Sequence, residues 1–160
     1  MILLFKIILI VTLFSIFLQD LRHRLVYWFL FPIVGIAFGI LHITETGYFQ
    51  FLISIAINMT VIGILLLVIY LYAKIIMKRA FFETIGLGDL LLFIALAFSF
   101  SPATFMILFV FSILFSLLFY LIILKNNKTQ TIPLAGTISL FFSLILLINW
   151  IGFYDTLYLI

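Results

Sequence analysis

Charge is scarce in this sequence: Asp, Glu, Lys and Arg make up 8% of its 160 residues, while 68% are hydrophobic. The mean hydropathy is +1.53. A soluble domain carries roughly 25% charged residues, so this chain could not cover a water-facing surface with polar groups. No long polar stretch remains that could form a separate soluble domain. Cysteine is absent, which excludes disulfides, thiolate catalysis and Cys-ligated zinc. There are only two histidines, His23 and His42, and a six-span topology puts them on opposite sides of a membrane, where they cannot share a metal ion. Neither H-E-x-x-H nor G-x-S-x-G occurs, which argues against a zinc metalloprotease or a serine-hydrolase elbow. The stretch "GTISL" offers a serine, but no intramembrane histidine complements it as a rhomboid-type pair would require. The net charge of +3 reads as a topology signal and not as a nucleic-acid footprint.

What the chain has instead is long apolar runs, at about 1–19, 25–44, 50–72, 88–101, 103–124 and 132–151. A helix needs roughly 20 apolar residues to cross the hydrocarbon core. The pattern predicts an all-α polytopic membrane protein, one domain over residues 1–160, built as a bundle of six transmembrane helices. The fourth run, bounded by Gly88 and Pro102, is the shortest. The first lacks a basic leading region and an A-x-A-like site, so it reads as a span and not as a signal peptide. Arg22 and Arg24, then Lys74, Lys78 and Arg79, then Lys125 and Lys128 all fall in alternate linkers. By the positive-inside rule that side is cytoplasmic and both termini are outside. Lys6 is the exception and can snorkel to the outer interface.

Within the spans, "GIAFG" at 35–39 has the G-x-x-x-G spacing that lets helices approach closely. Asn58, with Ser54 one turn earlier, is placed to hydrogen-bond a neighbouring helix. The acidic residues sort by depth. Glu45 and Asp155 fall in outer segments and read as solvated, and Glu83 precedes the fourth span. Asp20 ends the first span and Asp89, in "ETIGLGDLLLF", opens the fourth. Chain direction reverses between these spans, so both aspartates lie at the cytoplasmic boundary and can face each other.

An aspartate at membrane depth is costly and rarely kept without a use. Two close carboxylates share a proton and titrate as a unit, the division of labour used by aspartic proteases. Plainer roles stand beside this one. Asp20 can pair with Arg22 or Arg24, and Asp89 can cap the fourth span by accepting its orphan backbone N–H groups.

Three motifs carry a family resemblance: "GLGD" at Gly86 to Asp89, with Glu83 before it; "DLRHRLVYW" from Asp20; and "IPLAG" at 132–136. A G-x-G-D string alone arises by chance roughly 0.007 times in a chain of this composition, so the second aspartate at the matching span end supplies the specificity. Together they resemble the type IV prepilin peptidase family, in the short membrane-only form also seen as archaeal preflagellin peptidases and tight-adherence pilus peptidases. The resemblance covers essentially the whole chain. Tyr27 and Trp28 stand where that family usually has Pro-Asn, and Leu91 where it usually has Lys. The Cys-bearing insertion of larger members is missing, which speaks against N-methyltransferase activity.

The resemblance implies a membrane-embedded aspartic endopeptidase of the inner (cytoplasmic) membrane. It would remove leader peptides from type IV prepilin-like precursors at the cytoplasmic face, cleaving after a glycine. Asp20 and Asp89 would be catalytic. Gly86 and Gly88 would keep the backbone open beside the substrate strand, with Glu83 and Arg22 in support. Arg22, Arg24, Lys78 and Arg79 would also attract anionic headgroups. No cofactor or metal is expected, and the partners would be prepilin-like proteins and the bilayer, with no nucleic acid. Two alternatives stay open: a catalytically inactive relative acting as a scaffold in pilus-type assembly, and a small proton-coupled transporter. The transporter reading calls for a carboxylate near the midplane.

Overall fold

The computed structural model describes residues 2–78, 80–124 and 133–151, and all of its regular structure is helical. In chain order the helices are α1 (Ile2–His23), α2 (Leu30–Thr46), α3 (Tyr48–Tyr72), α4 (Phe81–Thr84), α5 (Leu87–Leu96), α6 (Pro102–Phe119) and α7 (Leu134–Trp150). α3 and α6 each run on into a π-helical turn, Ala73–Met77 and Tyr120–Leu124. Three segments are long and apolar enough to cross a membrane: Ile2–His23, Tyr48–Met77 and Pro102–Ile122. Three shorter apolar helices, α2, α5 and α7, accompany them. Arg79, Lys125, Lys128, Ile132 and Asp155 lie outside the described residues.

Helix is the expected state for such a composition, because in hydrocarbon each backbone N–H and C=O must find its partner within the segment. The few breakers sit where helices begin. Pro102 opens α6, Pro133 caps α7, and Pro32 lies in the first turn of α2, all places where the missing N–H would be unbonded anyway. α2 and α3 are joined by one residue, Gly47, whose φ of 81° and ψ of 164° are essentially open to glycine alone. Its N–H closes α2 by bonding the Ile43 carbonyl at 2.9 Å.

Two boundaries differ from the apolar runs. α2 begins at Leu30, five residues into its run, because Arg24 takes a left-handed conformation (φ 55°) that ends α1. The link that follows is tied back where the Tyr27 N–H bonds Gln19 Oε1 at 3.1 Å. α5 covers only Leu87–Leu96 of the expected 88–101 run. Ten residues rise about 15 Å, half the roughly 30 Å of a hydrocarbon core. Residues 97–101 turn instead, and Pro102 keeps Ser101 extended before α6 begins.

α7 packs antiparallel to α1 and also against α6; α2 lies between α1 and α5, and α3 leans on α2, α5 and α6. Leu9, Leu13 and Ile16 of α1 join Phe38, Phe100 and Phe142 in a fully buried core. The three rings form one cluster with centroids 5.6–6.3 Å apart. Many large side chains, Val11, Ile36 and Ile64 among them, are exposed, as suits lipid contact. Because lipid tails are as apolar as leucine, close fit between helices and polar ties hold such a bundle.

The "GIAFG" segment does allow close approach. A Cβ on Gly35 would lie 3.6 Å from the Ala95 backbone of α5, and one on Gly39 would lie 3.4 Å from the Phe51 ring of α3. Asn58 also ties helices together, donating to the Ala97 and Phe100 carbonyls at 3.0 Å each, and Ser54 is buried beside it.

Gly47 has no heavy atom within 4 Å of where a Cβ would be, so Gly47→Ala isolates backbone strain. That substitution is expected to lower stability by about 1–3 kcal/mol, measured by unfolding in detergent micelles. An unchanged midpoint would show that the link relaxes to another conformation.

Candidate active site

Three helix ends meet at one end of the bundle: the C-terminal turn of α1 and the first turns of α5 and α7. Asp20 lies in the last turn of α1 and is buried. Asp89 lies in the first turn of α5, three residues after its N-cap Gly86. Neither carboxylate is satisfied within its own helix alone. The Ala135 N–H of α7 donates to Asp89 Oδ1 at 2.8 Å, and the next N–H, that of Gly136, donates to Asp20 Oδ2 at 2.6 Å.

Successive backbone nitrogens are no farther apart than the roughly 3.8 Å between successive Cα atoms, so the two bound oxygens lie within about 9 Å of each other. The carboxylates are close enough to repel when both are ionised.

Each partner follows from local structure. The first N–H groups of a helix have no intrahelical acceptor and sit at the positive end of its dipole, so they suit carboxylates. The first turn of α7 is braced by Thr137, whose Oγ1 donates to the Pro133 carbonyl at 2.9 Å, and by Ser116 of α6, 2.5 Å from that hydroxyl. Asp89 also reaches back to the Gly86 backbone, as the third residue of a helix does in a capping box. Its capping role and its place opposite Asp20 thus coexist.

At Gly136 α7 lies directly against α1. A Cβ there would lie 2.9 Å from Asp20 Cβ, 3.0 Å from Oδ2 and 3.3 Å from the Phe17 carbonyl oxygen. Only glycine lets α7 come near enough to α1 for its N–H to reach the carboxylate. Gly86 has a related task, since a Cβ there would lie 3.2 Å from Asp89 Oδ2. Gly88 differs: its Cβ would make ordinary contact with the Phe31 ring at 3.6 Å.

The aspartates open onto a cavity of about 1130 Å³, which Gly86 and Gly88 also border. Leu65 and Ile69 of α3, Phe93 of α5 and Ile113 of α6 form its apolar wall. Leu25, Trp28, Phe82 and Leu87 are exposed at its rim, where Glu83 adds a carboxylate. Leu91 lines it too, half-buried. Of the two arginines in the α1–α2 link, Arg24 borders the cavity within electrostatic reach of Asp20, whereas Arg22 is exposed and is not among the lining residues. Tyr27 is exposed and stacks on Phe29. His42 is buried far along α2, facing the Phe98 carbonyl at 3.3 Å. Among the described residues, no group of three His, Asp or Glu side chains is placed to hold a metal ion.

Compared with known family models, curated proteins and solved structures, the chain matches none of them. The functional reading therefore rests on the residues themselves. Among them, Ala135 and Gly136 were not singled out from sequence as site residues. The signal available was "IPLAG", where a proline followed by small residues opens an apolar run and small residues allow helices to approach closely.

These clearances predict a graded series. Gly136→Ala is expected to destabilise by about 1–3 kcal/mol, because backbone and Cβ atoms must separate. Gly86→Ala should cost less and Gly88→Ala least, measured by thermal unfolding in one detergent. Equal midpoints for the three variants would contradict the close approach of α1 and α7.

Proposed function

We propose that this protein is a membrane-embedded aspartic endopeptidase, with Asp20 and Asp89 as its acid–base pair. The observation that carries the reading is the capture of both carboxylates by consecutive N–H groups of α7 at the edge of a large cavity. An ion-pair or capping role for each aspartate would not call for a shared anchor. The cavity exceeds the roughly 300–1,000 Å³ of small-molecule sites, which favours a polypeptide substrate. Its apolar wall suits a segment leaving a lipid-embedded helix.

In the proposed reaction, one aspartate is ionised and takes a proton from water as the water oxygen bonds to the scissile carbonyl carbon. The other, protonated, donates to the carbonyl oxygen, giving a neutral tetrahedral diol. Collapse re-forms the carbonyl, returns a proton to the second carboxylate and breaks the C–N bond as the first aspartate protonates the leaving amine. Water and peptide are consumed, and acid and amine are released, with both aspartates restored. No cofactor enters the scheme.

The chain would cross the membrane six times, with α5 and residues 97–101 as the shortest passage and both termini outside. The pair then lies at the cytoplasmic face of the inner membrane, where the likeness of "GLGD" and "DLRHRLVYW" to the prepilin peptidases points to leader peptides of type IV prepilin-like precursors. A second reading, an inactive scaffold for pilus-type assembly, is favoured by the apolar Leu91 on the cavity wall.

Processing of a co-expressed prepilin-type precursor by Asp20→Asn and Asp89→Asn separates the two. Either change is expected to cut cleavage by at least about 10²-fold while the protein still inserts and folds. Wild-type processing by either variant removes the pair from the mechanism. Pilus assembly that persists with both variants and without any cleavage establishes the scaffold.

A further inference from the structure

At the opposite end of α5 from Asp89, a second set of ties draws side chains from two other helices. α5 stops at Leu96, and the carbonyls of residues 97, 98 and 100 have no continuing helix to bond them. Asn58 of α3, fully buried, sends one Nδ2 hydrogen to Ala97 O and the other to Phe100 O, at 3.0 Å each. His42 of α2, also fully buried, faces Phe98 O through Nδ1 at 3.3 Å. The Asn58 Oδ1 is buried with no hydrogen-bond partner. A buried orphan carbonyl is a standing cost, one that leucine at this position would not incur. What the amide supplies in return is its pair of donors, and both go to the end of α5.

We propose that Asn58 is a positioning residue that sets the depth of Asp89, with His42 as a second tie; this rests on the reading of Asp89 as half of the reacting pair. The helix between them is a rigid rod. From residue 89 to residue 97 it rises about 12 Å at 1.5 Å per residue. A slip of one residue along the axis would move Asp89 by about 1.5 Å, a displacement that stretches or misaligns its 2.8 Å bond to the Ala135 N–H. α5 is also too short to hold itself in place by helix propensity alone. Its axial position is fixed by polar contacts at its two ends, with α2 gripping its flank through Gly35 and Ala95. Asn58 thus acts on the pair without touching it.

The chain has no cysteine, so introduced thiols report without background. Spin labels at Leu25→Cys and Leu87→Cys, both exposed at the cavity rim, give the distance between the α1–α2 link and the start of α5. The full chain is measured in detergent with Asn58 intact, with Asn58→Leu, which keeps the bulk but not the donors, and with Asn58→Gln, which keeps the donors. The expected result is a narrow distance distribution with Asn58, a shifted or broadened one with Leu, and at least partial recovery with Gln. Precursor cleavage is expected to fall tenfold or more with Leu, in line with the cost of a displacement near 1 Å.

A folded Asn58→Leu protein with the unmodified distribution overturns the proposal, as does lost cleavage without any change in distance. Should Asn58→Leu not fold, His42→Phe decides: a shifted distribution supports the tie and an unshifted one overturns it. A shift in a protein that cleaves no precursor even with Asn58 intact supports the positional tie and removes the peptidase reading instead.

Discussion

The site depends on two neighbouring N–H groups at the start of α7, each taken by a carboxylate from a different helix. The exchange satisfies both sides. A helix start among apolar side chains needs acceptors for its first N–H groups, and a buried carboxylate needs donors. Hydrogen bonds to charged groups contribute about 1.5–3 kcal/mol each, and in this setting leaving either group alone costs more than the bond returns. Three constraints follow: α1 must end and α5 must begin at the depth where α7 starts, and residue 136 must be glycine. The Ser116–Thr137 contact then keeps that first turn in shape from the α6 side.

Close packing and polar ties divide the work. α1 and α7 meet through small-residue contact and interlocked Leu, Ile and Phe side chains, which dispersion forces hold well in lipid. α5 is different. Only ten residues long, it is followed by backbone carbonyls that Asn58 and His42 meet, while in its first turn the Asp89 carboxylate takes the Ala135 N–H of α7.

Which of these features the sequence discloses depends on whether side chains or backbone carry them. The long helices are legible because hydrocarbon leaves no other state for such runs. Asp20 and Asp89 are legible as a pair because alternating chain direction puts a helix end and a helix start together, and the structure does join them through α7. The early stop of α5 is only weakly signalled, by Ser99 and Ser101 in "AFSFS" at 97–101, and the side chains that meet the freed carbonyls come from some forty positions away. The link at 24–29 is hidden inside "RLVYWF", where only the left-handed Arg24 breaks the run. Arg22 and Arg24 look equivalent in sequence, and the backbone conformation of Arg24 decides which one borders the cavity. Ala135 contributes only its amide, which every residue but proline possesses, so no side-chain motif could announce it.

Gly47 leaves α2 and α3 almost no slack where they meet, so the two behave as the arms of a pair of tweezers joined at the tip. α3 is 25 residues long, about 37 Å, and its far half supplies Leu65 and Ile69 to the cavity wall. A tilt of about 5° at the joint carries the far end of α3 through about 3 Å over that length. A small change of angle at the α2–α3 joint would therefore be magnified at the cavity wall, which lies toward the other end of α3 from Gly47.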